Sequence, residues 1–275
     1  MKNVSFYLIH NNSKDRIEIK NQLKDLASKF NIELIEIYKQ RKNLQINFNL
    51  KIKLIIFKIY LLRLSYNLKH KKEFSLKFYN LVFKSFLNAI KYIINLIFNN
   101  KSQDIKTYKH LMIESIVTRK HIKAWKHFLK SKKEIMVIFE DDAVCEKDTE
   151  KRLKDYFESF KFLDLNNIFI DLAGGFNTKD VIPFRKIKKT KGEFLFVEGI
   201  YTNTACSYLI GRDLLKQLYQ EYKRSKLNNS FPIDHLINKL GLKIKGNENI
   251  LSIHLMKPIF THGSFEGNIK SWQIY

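Results

Sequence analysis

A chain of 275 residues is long enough for one large domain or two small lobes, and its 45% hydrophobic and 28% charged residues match ordinary globular proteins. That balance excludes disordered, collagen-like and disulfide-scaffold classes; the two cysteines, Cys145 and Cys206, make no disulfide or metal pattern by their spacing, which fits a reducing compartment. The unusual quantity is charge: 50 Lys+Arg against 27 Asp+Glu gives +23, which points to a polyanionic partner or to a coding bias toward Lys, Ile, Asn and Phe.

The first 38 residues read strand, helix, strand. Val4 to Ile9 is a short apolar run, Ser13 is placed to cap a helix through Lys29, and Ile32 to Tyr38 alternates apolar residues with Glu33 and Glu36. From Gln45 to Asn100 the period becomes helical, and Lys77, Lys84 and Lys91 recur every seven residues on one face. Between Lys39 and Lys109 stand 16 Lys/Arg against Glu73 and Asp104, so this insertion, residues 45–109, reads as a basic helical lobe. Such a lobe suits an anionic membrane surface, or it packs on the main domain with its lysines in water.

The α/β rhythm then returns. Ser115 to Leu129 predicts a helix; Ile135 to Phe139 predicts a buried strand ending in Glu140-Asp141-Asp142; Ile168 to Leu172 predicts another, running into Ala173-Gly174-Gly175. Both read as parallel strands. A strand near Cys206 to Ile210, a helix from Arg212 to Arg224, a helix near Asp234 to Leu240 and a tail with Thr261-His262-Gly263 complete the pass. The longest stretch without Asp, Glu, Lys or Arg, Gly199 to Gly211, is too short to span a bilayer, and no targeting segment is recognised, so the expected location is the cytoplasm. The expected organisation is a single domain, 1–275, with the basic insertion inside it.

Neither nucleotide-binding glycine fingerprint is present. Instead three adjacent carboxylates close an apolar strand, at the strand end where open α/β sheets bind ligands. A hard divalent cation among them relieves their repulsion, and oxygen ligands suit Mg²⁺ or Mn²⁺; a solvated turn is the structural alternative. Asp234, after Pro232 at a helix start, is an N-cap aspartate or, with His235 beside it, an acid–base candidate. Arg16 suits an anion or a nearby carboxylate, and Gly174 and Gly175 allow close backbone approach to a ligand. His262 is a candidate nitrogen ligand or an ordinary structural histidine.

These residues resemble glycosyltransferase family 25, the lipopolysaccharide and lipooligosaccharide sugar transferases. Ile138-Phe139-Glu140-Asp141-Asp142-Ala143 is similar to the family's L-E-D-D-A/V element, its version of the metal-binding D-x-D motif. The opening Tyr7 to Arg16 is similar to its amino-terminal strand with a following S-x-x-R, here Ser13 and Arg16. His121 and Trp125 resemble the helix before the acidic strand, its L-S-H replaced by Arg119-Lys120-His121. Asn203 to Ile210 and Pro232-Ile233-Asp234-His235 resemble its T-x-x-Y-L-I and P-x-D elements. The basic insertion has no counterpart in the resemblance.

The resemblance implies an α/β fold of GT-A type, a Rossmann-like mixed sheet flanked by helices. It also implies a nucleotide-sugar donor, inversion at the anomeric carbon and a lipooligosaccharide or other surface-glycan acceptor, with galactose as the sugar to try first. Asp142 is then the first metal ligand for Mn²⁺ or Mg²⁺, with Asp141 bridging and His262 joining; Glu140 faces the ribose; His10, Asn11, Arg16, Gly174 and Gly175 stand on the donor side; Asp234 is the base for the acceptor hydroxyl, with His235 as runner-up. The expected setting is peripheral to the inner face of the cytoplasmic membrane, docked through residues 45–109, with no nucleic acid bound. The rival reading is a noncatalytic basic membrane- or nucleic-acid-binding protein, which leaves the acidic triplet unexplained. A glycosidase with paired carboxylates needs neither the triplet nor a metal.

Overall fold

The computed structural model describes residues 3–38, 58–59, 61, 87, 90, 101–159, 165–173, 187–202, 204–225, 231–246 and 250–264. Most of the predicted basic insertion, with Lys77, Lys84 and Lys91, lies outside the described residues, as do Gly174 and Gly175.

In chain order the strands are β1 (Val4–His10), β2 (Leu34–Tyr38), β3 (Ile135–Glu140), β4 (Ala143–Cys145), β5 (Ile168–Asp171), β6 (Ile187–Lys191), β7 (Phe194–Glu198), β8 (Ser207–Gly211), β9 (Leu251–Leu255) and β10 (Phe260–His262). The helices are α1 (Ile17–Lys29), α2 (Lys101–Phe128), α3 (Thr149–Ser159), α4 (Arg212–Arg224) and α5 (Ile233–Gly241). Among the described residues, eight strands form one mixed sheet in the order β2-β1-β3-β8-β5-β9-β7-β6, and β4 pairs with β10 in a separate ribbon. The α/β expectation of a mixed sheet flanked by helices therefore holds.

The pleat assigns each strand residue to a layer. In β3, Ile135, Val137 and Phe139 pack with Ile19, Leu23 and Leu26 of α1 and with Leu153 and Phe157 of α3. Met136 and Ile138 point the other way, into Trp125 and Phe128 of α2, Leu214 and Leu218 of α4, and Leu236 and Ile237 of α5. Residues of β1 alternate likewise, Phe6 and Leu8 against Tyr7 and Ile9. Helices on both faces explain why these strands are apolar throughout.

Continuous apolarity suggested parallel pairing, and here the structure differs. Strand β3 is parallel to β1 but antiparallel to β8, and β5 is parallel to β9 but antiparallel to the same β8. Burial on both faces makes a run apolar whatever the direction of its neighbours. Ser13 also departs from expectation: it precedes a short 3-10 helix, Lys14–Arg16, and its hydroxyl bonds Asp15 rather than a backbone N–H.

The β8–α4 junction is tight. Arg212 donates to the carbonyls of Lys133 and Ser131 and lies 4.9 Å from the Phe128 ring, pinning the turn after α2. A Cβ on Gly211 would lie 1.9 Å from the Leu165 carbonyl oxygen and 2.4 Å from that of Asn166. Backbone atoms cannot swing aside, so Gly211→Ala is expected to destabilise the fold by about 1–3 kcal/mol, measured by urea denaturation. Gly192→Ala, with nothing within 4 Å but a φ of +58°, should cost only about 1 kcal/mol through backbone strain.

Candidate active site

Strands β1, β3 and β5 run in the same direction, so His10, Glu140 and Asp171 finish at one edge of the sheet, and antiparallel β8 begins there after Cys206. The Glu140 N–H donates to the Cys206 carbonyl at 2.7 Å, fixing the acidic turn against the start of β8. The β4–β10 ribbon then folds the tail back: Ala143 pairs with His262, and the Gly263 N–H donates to the Asp142 carbonyl at 2.9 Å. A cleft of about 150 Å³ opens at this edge, lined by His10, Asn11, Glu114, Lys120, Glu140, Asp141, Asp142, Thr204, Cys206, Asp234, His262 and Ser264 among others.

Glu140 continues the Met136–Ile138 face and so points toward α2. There His121 and Trp125, one helical turn apart, share a face. Trp125 Nε1–H donates to the Tyr208 hydroxyl at 2.9 Å. Tyr208 lies 3.1 Å from His121 Nδ1, and His121 Nε2 lies 2.9 Å from Glu140 Oε1. The chain has one consistent polarity: Trp125 can only donate, so the Tyr208 proton goes to Nδ1 and the Nε2 proton to the carboxylate. Burial, with the Lys120 charge beside it, lowers His121 to about 3, so it acts as a neutral relay.

The carboxylates of the cleft sit against their own solvation. Burial, reinforced by Asp142, raises Glu140 to about 8. Burial and Asp142 raise Asp141 to about 7, against the pull of Arg16 and the Asn11 N–H at 3.1 Å. Burial likewise raises Asp234. Such groups favour a cation or a proton donor in their midst.

Asp142 holds the most varied company. Its Oδ2 accepts from Ser264 at 2.7 Å and lies 3.7 Å from His262 Nδ1; its Oδ1 accepts from Cys206 Sγ at 3.3 Å. Ligand atoms of Asp142, Cys206 and His262 all lie within 4.8 Å of one another, so the donor set fits a divalent cation.

The other expected residues divide. His10 and Asn11 line the cleft. The His10 ring is engaged from behind, Nδ1 accepting from the Asn12 N–H and Nε2 3.0 Å from Glu36. Arg16 is buried and does not line the cleft; its charge bears on Asp141, where it opposes the effect of burial. Asp234 lines the cleft; it is not the N-cap, a position held by Pro232, but lies in the first turn of α5, where its Oδ1 accepts the N–H of the next residue, His235, at 2.8 Å. His235 is exposed and outside the lining.

Sequence reasoning missed Lys120, Glu114 and Cys206. Lys120 is 4% exposed, donates to the His10 carbonyl at 2.7 Å and also reaches Asn11 Oδ1, binding α2 to the end of β1. Its place beside His121 on the helix was a usable signal. Cys206 had none, because its neighbours come from β3 and β10, far away in sequence.

The model of glycosyltransferase family 25 (LPS biosynthesis protein) matches residues 118–237, the segment that carries His121, the acidic triplet, Cys206 and Asp234. Over that segment, a little under half of the chain, the protein is similar to a glycosyltransferase domain of that family. Glycosyl transfer is its activity, which implies a nucleotide-sugar donor and a glycan acceptor. His10, Asn11, His262 and Ser264 lie outside the matched segment. A solved structure described as a glycosyltransferase involved in the glycosylation of the major capsid of PBCV-1 is similar at 9% identity, covering 94% of this chain and 91% of that one, with a TM-score of 0.39. No curated protein matches the chain in sequence. Among the described residues, no helix of this glycosyltransferase is long and apolar enough to cross a membrane.

Tyr208→Phe removes the hydroxyl that links Trp125 to His121. The variant should lose about 1–3 kcal/mol of stability, read by chemical denaturation, because Trp125 Nε1–H is left buried without that acceptor. Turnover should fall further than the lost folded fraction explains, since His121 is no longer held in one tautomer toward Glu140.

Proposed function

We propose that the protein is an inverting, cation-assisted transferase that moves one hexose, galactose being the first to test, from a nucleotide sugar to a lipooligosaccharide or other surface glycan. The observation that carries this reading is the meeting of Glu140, Asp141, Asp142, Asp234 and His262 around one cleft at the carboxyl edge of β1 and β3. Asp142 and His262 would hold the cation, Mn²⁺ or Mg²⁺, with Asp141 beside them. When bound, the cation neutralises charge growing on the leaving diphosphate.

The residues of the chain do the rest. Glu140, held by His121, is placed to accept from a ribose hydroxyl. Asp234 takes the acceptor's proton as the acceptor oxygen bonds to the anomeric carbon; the electron pair of the broken bond leaves with the nucleoside diphosphate. Burial strengthens Asp234 as a base, since it raises the carboxylate's affinity for that proton. On charge alone, the basic stretch 45–109 supports docking on an anionic membrane surface from the cytoplasmic side, close to a lipid-linked acceptor.

Asp142→Asn keeps side-chain volume and removes the anionic ligand, so transfer should fall to background and thermal stabilisation by Mn²⁺ with a nucleoside diphosphate should disappear. Transfer by the wild type that persists in excess chelator would overturn the cation's role.

Asp234→Asn should lower turnover by about two orders of magnitude or more while nucleoside diphosphate affinity stays near wild type. A variant that melts several degrees lower yet keeps turnover in proportion to its folded fraction would identify Asp234 as a structural residue of the first turn of α5 instead.

A further inference from the structure

The cation reading leaves one neighbour of Asp142 unaccounted for. Cys206 Sγ lies 3.3 Å from Asp142 Oδ1, and the residue lines the cleft while being only 1% exposed. A thiol is a weak hydrogen-bond donor, poor compensation for a carboxylate withdrawn from water. Its position is also fixed, because the Cys206 carbonyl accepts the Glu140 N–H and the next residue begins β8.

Three kinds of donor atom, from the end of β3, the start of β8 and the end of β10, thus converge within 4.8 Å. Ligand–ligand separations around a tetrahedral ion with metal–sulfur and metal–oxygen distances of about 2.3 and 2.0 Å are about 3.5 Å. Cys206 Sγ lies 3.3 Å from Oδ1 of Asp142 and His262 Nδ1 lies 3.7 Å from Oδ2, both near that value, so small side-chain rotations would bring sulfur, nitrogen and one carboxylate oxygen around a single ion.

We infer that Cys206 is a ligand of the cation held by Asp142 and His262, and that the site takes Mn²⁺, Co²⁺ and Zn²⁺, in rising preference, over Mg²⁺. This deepens the cation reading above and rests on it. On binding, the S–H bond breaks, the proton passes to solvent and the sulfur lone pair bonds to the ion; no oxidant or co-reactant takes part. The softer donor is what sets the selectivity.

The test uses the full chain, reduced and freed of metal, titrated with Co²⁺ while near-ultraviolet thiolate-to-cobalt absorption is recorded. The band is expected in the wild type and in Cys145→Ser, and absent from Cys206→Ser and Cys206→Ala, each checked for folding by circular dichroism. Zn²⁺ should bleach it and Mg²⁺ should not. Cys206→Ser should weaken Zn²⁺ binding about tenfold or more and leave Mg²⁺ binding within about twofold. Co²⁺ binding in the wild type without the band, or a band that survives Cys206→Ser, overturns the inference. Loss of Co²⁺ binding in Asp142→Asn with none of these changes in Cys206→Ser rejects the thiolate alone; Co²⁺ binding that ignores both substitutions rejects the cation reading with it.

Discussion

The pairing of β3 between β1 and β8 is the constraint on which the site depends. Its register sends Ile135, Val137 and Phe139 to one layer and Met136, Ile138 and Glu140 to the other. A slip of one residue would exchange the two sets, turning Phe139 toward α2 and Glu140 into the apolar layer beneath α1 and α3. Burying Val, Ile or Phe side chains is worth about 1.5–3 kcal/mol each, so packing of five apolar residues dictates where a single carboxylate emerges. The triplet is consequently delivered by the core rather than by the loop that carries it. His121, waiting on α2, reaches Glu140 only in this register.

Electrostatics oppose that arrangement locally while the chain as a whole is strongly basic. Burial first, and then the Asp142 charge, push Glu140 and Asp141 upward, to about 8 and about 7. Backbone N–H groups of Asn11 and His235 reach Asp141 and Asp234, a neutral imidazole reaches Glu140, and the Arg16 charge pulls against the rise at Asp141. These dipoles and charges orient the carboxylates without restoring their ordinary acidity, which suits groups whose work is to receive a cation and a proton. The same carboxylates surrounded by arginines would be more comfortable and less reactive.

Much of the scaffold was legible because its signals are local. The apolar run at 135–139, the alternation at 32–38 and the helix at 212–224 each depend on a few adjacent residues, and all three occur where periodicity puts them. The acidic triplet was legible for the same reason. Direction of pairing was not, since a strand buried on both faces reads alike beside a parallel or an antiparallel neighbour. The β6–β7 hairpin, helix α3 and the β4–β10 ribbon went unread: the apolar positions of α3 are few and set among charges, and β4 and β10 hold three residues each, too few for a period to show. Cys206 was invisible on its own; antiparallel pairing of Phe139 with Ser207 is what carries it beside the triplet.

The division between the matched segment and the rest of the chain has a mechanical meaning. Residues 118–237 supply the triplet, the relay from Trp125 to Glu140, Cys206 and Asp234, which are the groups that meet reacting atoms in the proposed chemistry. The walls come from outside it. His10 and Asn11 arrive on β1 and are tied to α2 by Lys120; His262 and Ser264 arrive on the returning tail and are tied to Asp142. Both walls are held by hydrogen bonds to the central groups and also by packing in the shared core, since Phe6 and Leu8 of β1 and Phe260 of β10 are fully buried there. Cleft and core are therefore one unit: the flanks come from the beginning and the late part of the chain, yet a change in either reaches the carboxylates directly, through the pairing of β1 with β3 or through the contact of His262 with Asp142.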